Sequence, residues 1–310
     1  FMKIHRDIEN LPAFRNAVIT IGTFDGVHMG HRQIINKLKD EASAINGETV
    51  IITFHPHPRK VIASTILGVR LLNTLEEKLQ LLKQLGIDHV VVVPFTDAFA
   101  NQPAEDYIKN FLIEKFHPHT IIIGYDHRFG KERKGDYLLL EKKAAEYDYV
   151  LKEIPKHVLD EISISSTRIR EALLEGKIEI ADKLLGYEFF FSGVVVHGDK
   201  LGRKLGYPTA NLKIPDEEKI TPGNGIYAVY AQPEGYDHRL KGMMSIGFRP
   251  TVDGKKRVIE VNIFDFDKEI YDETLKVYVK KYLREELKFN GLDELINQIG
   301  QDKIESMKVL

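Results

Sequence analysis

Residues 22–31, Gly22-Thr23-Phe24-Asp25-Gly26-Val27-His28-Met29-Gly30-His31, combine three glycines, a carboxylate and two histidines three positions apart. They follow a short apolar run, 18–21, and open a helical pattern near His31. A strand turning through glycines into a helix N-terminus gathers backbone N–H groups and the positive end of the helix dipole at one point, which suits phosphate. Two imidazoles there add hydrogen bonds or charge for phosphate oxygens. His28 and His31 also fit a metal pair or two ordinary surface histidines. The coincidence of their spacing with strand, loop and helix favours phosphate, and no third ligand at metal spacing accompanies them. The loop does not match Gly-x-Gly-x-x-Gly, and the stretch from Gly124 to Gly130-Lys131-Glu132 lacks the spacing and hydroxyl of a Walker A loop.

A second cluster is Ile164-Ser165-Ser166-Thr167-Arg168-Ile169-Arg170. It reads plainly as a capped helix start with solvated arginines. It reads chemically as a helix start where hydroxyls, N–H groups and Arg168 or Arg170 grip a triphosphate. A third stretch, Pro208-Thr209-Ala210-Asn211, and the separate Glu260 read by pattern alone as a turn and a solvent-facing strand residue.

These residues need a frame. Up to about residue 153, apolar runs expected as strands (18–21, 49–54, 89–93, 120–123, 149–153) alternate with helical patterns ending near 45, at 75–85, 104–115 and 136–147. Thr74 and Glu77 make a capping box, and Gly86 ends the helix that follows. Valine- and isoleucine-rich strands alternating with helices predict a doubly wound parallel α/β sheet covered on both faces. Ligands in such sheets sit at the C-terminal strand ends, where residues 22–31, 55–58 and 124–130 all fall. Helices are expected at 167–174 and 178–185, each stopped by a glycine. Beyond them strands are expected at 189–196, 226–231, 241–246, 257–266 and 274–282 without intervening helices, then a final helix at 292–308. That pattern predicts a small antiparallel β-barrel domain with a C-terminal helix, and a boundary near Gly186 giving domains 2–186 and 187–310.

Composition narrows the classes. At 310 residues the chain has room for two domains, and 43% hydrophobic with 29% charged residues suits packed cores. A net charge of −2 gives no global field toward nucleic acid or an anionic membrane. The lack of cysteine excludes disulfides, thiolate nucleophiles and thiolate zinc sites. With no apolar run of membrane-spanning length and no signal-peptide core, the expected compartment is the cytoplasm.

The 22–31 loop with the Ser/Thr-Arg cluster resembles the nucleotidyltransferase superfamily. Together with His55-Pro56-His57-Pro58 and Gly124-Tyr125-Asp126-His127-Arg128-Phe129-Gly130, it resembles the adenylyltransferase half of bacterial bifunctional riboflavin kinase/FAD synthetases. The stretch from Gly193 to Asn211, with His197-Gly198, Gly202-Arg203, Leu205-Gly206 and Pro208-Thr209-Ala210-Asn211, resembles the kinase half. Gly225-Ile226-Tyr227, the 246–251 segment Ile-Gly-Phe-Arg-Pro-Thr, Glu260 and Leu283-Arg284-Glu285 continue it in the family's order.

The resemblance implies an enzyme that phosphorylates riboflavin to FMN and adenylylates FMN to FAD, with ATP, ADP and pyrophosphate as further ligands. In the C-terminal half it implies Mg²⁺ held by Thr209 and Asn211, Glu260 taking the hydroxyl proton, and ATP phosphates wrapped by Gly193, His197, Gly198, Gly202, Arg203 and Gly206. In the N-terminal half His28 and His31 would serve the α-phosphate, and Ser165, Ser166, Thr167 and Arg168 the leaving pyrophosphate. Gly22, Thr23, Phe24, Asp25, Gly30 and Asp126 would line the nucleotide. Pro56, His57, Pro58 and Arg284 are the flavin-side candidates, with Arg59 beside them. No partner in nucleic acid or membrane is implied, and oligomeric state is not legible.

Overall fold

A computed structural model describes residues 1–58, 70–198, 202, 205–251 and 254–310, and for 250, 251, 254 and 255 the backbone alone. The expected Arg203 and Arg59 therefore lie outside the described residues. The chain forms two compact units: residues 1–69 with 73–166, and 70–72 with 167–310.

The first unit is built on six strands: β1 (Lys3–His5), β2 (Val18–Ile21), β3 (Thr49–His55), β4 (His89–Pro94), β5 (Thr120–Gly124) and β6 (Val150–Ile154). Their order is β1-β4-β3-β2-β5-β6, and every pair is parallel. All residues of β2 and β5 are buried, as expected of strands covered on both faces. The sheet grows from β2 toward β3 and β4 in one direction, then restarts beside β2 with β5 in the other. Loops leaving β2 and β5 thus diverge at their carboxyl ends and leave a crevice, the position that binds ligands in doubly wound sheets.

The helix Leu75–Gln84 begins with the expected capping box, Thr74 accepting from the Glu77 N–H while the Glu77 side chain accepts from the Thr74 N–H. The continuous helix expected at 104–115 is broken in kind. A π-helical segment, Tyr107–Ile113, separates short α-helical turns, and its Tyr107, Ile108, Phe111 and Leu112 are all buried. Widening the helix lets Tyr107 stack on Phe129 while Phe111 meets Phe116 edge-on. β1, too short and polar to show as an apolar run, was not foreseen.

The second unit is a closed barrel of β7 (Phe190–Val196), β8 (Ala210–Lys213), β9 (Gly225–Pro233), β10 (Leu240–Thr251), β11 (Gly254–Ile263) and β12 (Thr274–Arg284), in the order β10-β11-β8-β7-β12-β9. All its pairs are antiparallel. Leu275, Val277 and Val279 alternate inward along β12 and are fully buried. The helix Leu292–Val309 follows the barrel. β8 was read from sequence as a turn, because a four-residue strand with Asn211 in it carries no apolar alternation.

The helix expected at 167–174 is longer, Lys156–Leu174, and Ile178–Leu185 follows it. Ile169, Ala172, Leu173, Ile178, Ala181 and Leu185 belong to the barrel's apolar core, which is why residues from 167 onward group with the second unit. Among the described residues no helix is long and apolar enough to cross a membrane.

Candidate functional sites

In the first unit the expected phosphate loop is where the sheet predicts it. Gly22 continues β2 through a bond from its N–H to the Ile52 carbonyl, and the helix Met29–Ala44 begins one residue after His28. His28 occupies the N-cap position without a side-chain cap, so the first amides of this helix face the loop. The loop is strained: Phe24 and Val27 have φ of 48° and 40°. A β-branched residue in that region is a steric outlier, costing about 1–3 kcal/mol, and such strain persists only when surroundings enforce it. Here they do. Asp25 is 7% exposed and its Oδ1 accepts the Asn73 N–H at 3.3 Å. Thr53 donates its hydroxyl to the Thr23 carbonyl at 3.3 Å, and Lys78 donates to Thr53 Oγ1 at 3.3 Å.

Lys78 is 7% exposed beneath the loop. Burial pulls its pKa down to about 8, with Asp25 pulling it back up. Sequence reading passed over Lys78, since a lysine four residues after Thr74 looks like an ordinary helix-surface cation. Only the position of its helix behind the loop marks it.

His28 is fully buried, and its Nε2 lies 2.9 Å from the Ser166 hydroxyl. His28 and His31 stack with ring centroids 4.0 Å apart, and Phe24 covers His31 at 5.2 Å. Burial, then His28 and Lys78, hold the His31 pKa well below the ordinary value. His31 is therefore neutral at neutral pH and can make a hydrogen bond but carries no charge. Gly30 is required by packing, because a Cβ there would stand 2.8 Å from Ile162 Cγ1.

The second cluster differs from its sequence reading in one physical respect. Ser165, Ser166 and Thr167 lie in the middle of Lys156–Leu174, not at a helix start. Backbone amides in a helix interior already donate to carbonyls one turn back, so only side chains remain for a ligand. Ser165 is buried, Ser166 half-buried, and Thr167 and Arg168 are exposed. At the end of β5, Asp126 is exposed and bends back over Gly124, whose Cβ would meet Asp126 Oδ1 at 2.8 Å. Arg128 pairs with Asp136 at 2.7 Å. Pro56, His57 and Pro58 follow β3 at the same edge of the sheet and are half-buried.

In the second unit β8 runs against β11 with Asn211 opposite Glu260. Residues facing each other across an antiparallel pair project their side chains to the same face. Asn262, 6% exposed, donates to the Pro208 carbonyl at 2.6 Å and pins the approach to β8. Asn262 was missed from sequence and is findable only through the β8–β11 register. Gly198 lies so close to Asn211 that a Cβ would stand 2.2 Å from its Nδ2. Gly202 accepts from the N–H groups of Leu205 and Tyr207, and its Cβ would meet Thr209 Oγ1 at 3.3 Å. Gly206 turns with φ of 84°. Gly198, Gly202, Thr209, Asn211 and Glu260 are thus gathered in one place.

Three further expected residues make other contacts. Gly193 serves packing, its Cβ position being 3.1 Å from Leu212 Cβ. His197 stacks on Tyr271 with centroids 3.9 Å apart. Arg284, expected on the flavin side, forms a two-point ion pair with Asp302 at 2.8 and 2.6 Å. Asp302 is 5% exposed and takes a third bond from Gln298, so this guanidinium anchors the C-terminal helix.

Thr209 and Asn211 offer neutral hard oxygens of the kind Mg²⁺ takes alongside phosphate, so the residues fit that ion. Among the described residues no group of three or more histidine, aspartate or glutamate side chains could hold a metal by itself.

Comparison with known proteins agrees in both halves. A family model described as FAD synthetase matches residues 11–168, and one described as riboflavin kinase matches 185–310. A bifunctional riboflavin kinase/FMN adenylyltransferase of Escherichia coli (strain K12) is 38% identical over 305 residues, covering 98% of this chain and 96% of the relative. One from Listeria monocytogenes is 38% identical over 289 residues, covering 93% and 90%. A crystal structure from Streptococcus pneumoniae, titled a macrolide-efflux protein, superposes with a TM-score of 0.81 at 30% identity over 99% of this chain and 98% of that one.

Proposed function

Because the chain belongs to the family of bifunctional riboflavin kinase/FMN adenylyltransferases, we propose that its two ATP-dependent reactions run at the two clusters just described. Residues 2–186 would carry adenylyl transfer and 187–310 the kinase. The observation that carries this reading is the pairing of Asn211 with Glu260 by the β8–β11 register, matched in the other unit by His28 and Ser166 at the β2 crevice.

In the kinase step the riboflavin 5′-hydroxyl oxygen bonds to the γ-phosphorus of ATP as the bond to ADP breaks, and the hydroxyl proton passes to Glu260. Mg²⁺ bound at Thr209 and Asn211 would neutralise charge on the phosphate oxygens. Gly198 and Gly202, lacking a Cβ, let the backbone lie directly against the Asn211 and Thr209 side chains. In the adenylyl step an FMN phosphate oxygen bonds to the α-phosphorus of a second ATP, and pyrophosphate leaves. The incoming phosphate is already an anion, so no protein nucleophile is needed. The helix N-terminus after His28, with hydrogen bonds from His28 and His31, stabilises charge gathering on the α-phosphate. Ser165 and Ser166 contribute hydroxyls, and Arg168 would serve the leaving pyrophosphate. Asp126, Pro56, His57 and Pro58 border the crevice where nucleotide and flavin meet. A cytoplasmic setting, where ATP is supplied, is part of the same proposal.

Labelled ATP tests the division. Label in the γ-phosphate should enter FMN, and label in the α-phosphate should enter FAD alone. Label from the α-position in FMN, or the absence of either product, would contradict the assignment.

A further inference from the structure

Arg249, in the strand neighbouring Glu260, is used by neither step above. Its Nη2 donates to Glu260 Oε2 at 3.1 Å and its Nη1 to Glu286 Oε1 at 2.8 Å. Along β10 and β11, Arg249 pairs with Lys256, Gly247 with Val258, and Ser245 with Glu260. Arg249 therefore lies two pairs along one face from Glu260, with Gly247 next to it in the path. That glycine leaves the path open: a Cβ on it would fall 2.0 Å from the Glu286 carboxyl carbon. The space holds the carboxylate that fixes Arg249 from its other side. Both ion pairs are partly shielded, with side-chain exposures of 42% for Arg249, 27% for Glu260 and 32% for Glu286.

We propose that Arg249 is a positioning residue for riboflavin phosphorylation: clamped by Glu286, its guanidinium holds Glu260 by Oε2 in a single orientation, so that Oε1 takes the hydroxyl proton. This rests on the reading of Glu260 as the base. A carboxylate held at one oxygen by a planar donor keeps its other oxygen's direction defined, which a freely rotating side chain does not. Among the described residues, Glu260 is paired with Arg249 from β10 and, through it, with Glu286 after β12. The facing residue on β8, Asn211, is uncharged.

The test uses the full chain, whose FMN adenylylation reports folding while kinase turnover reports the proposal. Arg249→Met should lower kinase kcat by about 10- to 100-fold with little change in the riboflavin KM. Adenylylation of supplied FMN should stay unchanged. Arg249→Lys, which keeps the charge but not the fork, should recover part of the rate. An unchanged kinase rate, a loss expressed in the riboflavin KM alone, or equal loss of both activities would overturn the proposal. Glu260→Gln is assayed in parallel. If it retains kinase turnover, the base assignment itself fails. If it loses turnover while Arg249→Met does not, only the positioning role fails.

Discussion

The Nε2 of His28 and the hydroxyl of Ser166 are 2.9 Å apart, although 138 positions separate them in the chain. One belongs to the loop after the first central strand, the other to a helix interior. Their contact fixes the plane of a fully buried imidazole at the crevice. Ser166→Ala should reduce FMN adenylylation by about tenfold, the worth of one hydrogen bond, while FMN formation from riboflavin stays unchanged. Assaying both activities on one preparation checks this, and an unaffected adenylylation rate would show the contact to be idle.

Much of this was legible before the structure. The apolar runs at 18–21, 49–54 and 120–123 are buried β2, β3 and β5, because a parallel sheet covered on both faces writes itself as unbroken Val/Ile segments. The loop 22–31 was placed correctly because glycines between strand and helix have few other uses. What the sequence hid depends on long-range pairing. The Asn211–Glu260 register has no local signature, and Lys78 looks like any helix lysine until the loop is laid over it. Ser165 to Thr167 mimic an N-cap in sequence, yet the helix had begun nine residues earlier, at Lys156. Arg284 was expected beside flavin from its position in a motif, and the partner that occupies it, Asp302, lies in another element.

Lys78 supplies a pH prediction. Burial lowers its pKa to about 8 against the pull of Asp25, so the ammonium under the loop is lost as pH rises through that value. Below about 8 the charge supports Asp25 and Thr53; above it the support is withdrawn. FMN adenylylation should decline above about pH 8 relative to riboflavin phosphorylation in the same protein. A ratio of the two rates that stays flat between about pH 7 and 9 would contradict this.

Gly198→Ala places a Cβ 2.2 Å from Asn211 Nδ2, forcing that amide aside. Kinase turnover should fall on the order of 100-fold and need more Mg²⁺ for half-maximal rate, while adenylylation is retained. A Mg²⁺ titration of both activities provides the check. An unchanged requirement would remove Asn211 from the proposed metal site.

His127 should make the protein acid-sensitive. Burial, then Arg133, lowers its pKa to about 4, and its Nε2 is buried with no hydrogen-bond partner among the described residues. Unfolding restores the ordinary value near 6.5, so between about 6.5 and 4 the unfolded chain binds more protons and stability falls as pH falls. His127→Phe cannot titrate. Its stability relative to the parent should improve on acidification from pH 7 to 5, by on the order of 1–2 kcal/mol. Paired thermal melts at the two pH values measure this, and a constant difference between the proteins would contradict it.

The division into two independent sites is tested most directly by chromatography of the flavins formed from riboflavin, ATP and Mg²⁺ by two single variants. His28→Ala should accumulate FMN and make no FAD, while Glu260→Ala should make no FMN from riboflavin yet still convert supplied FMN to FAD. Loss of both products in either variant would contradict two separate sites.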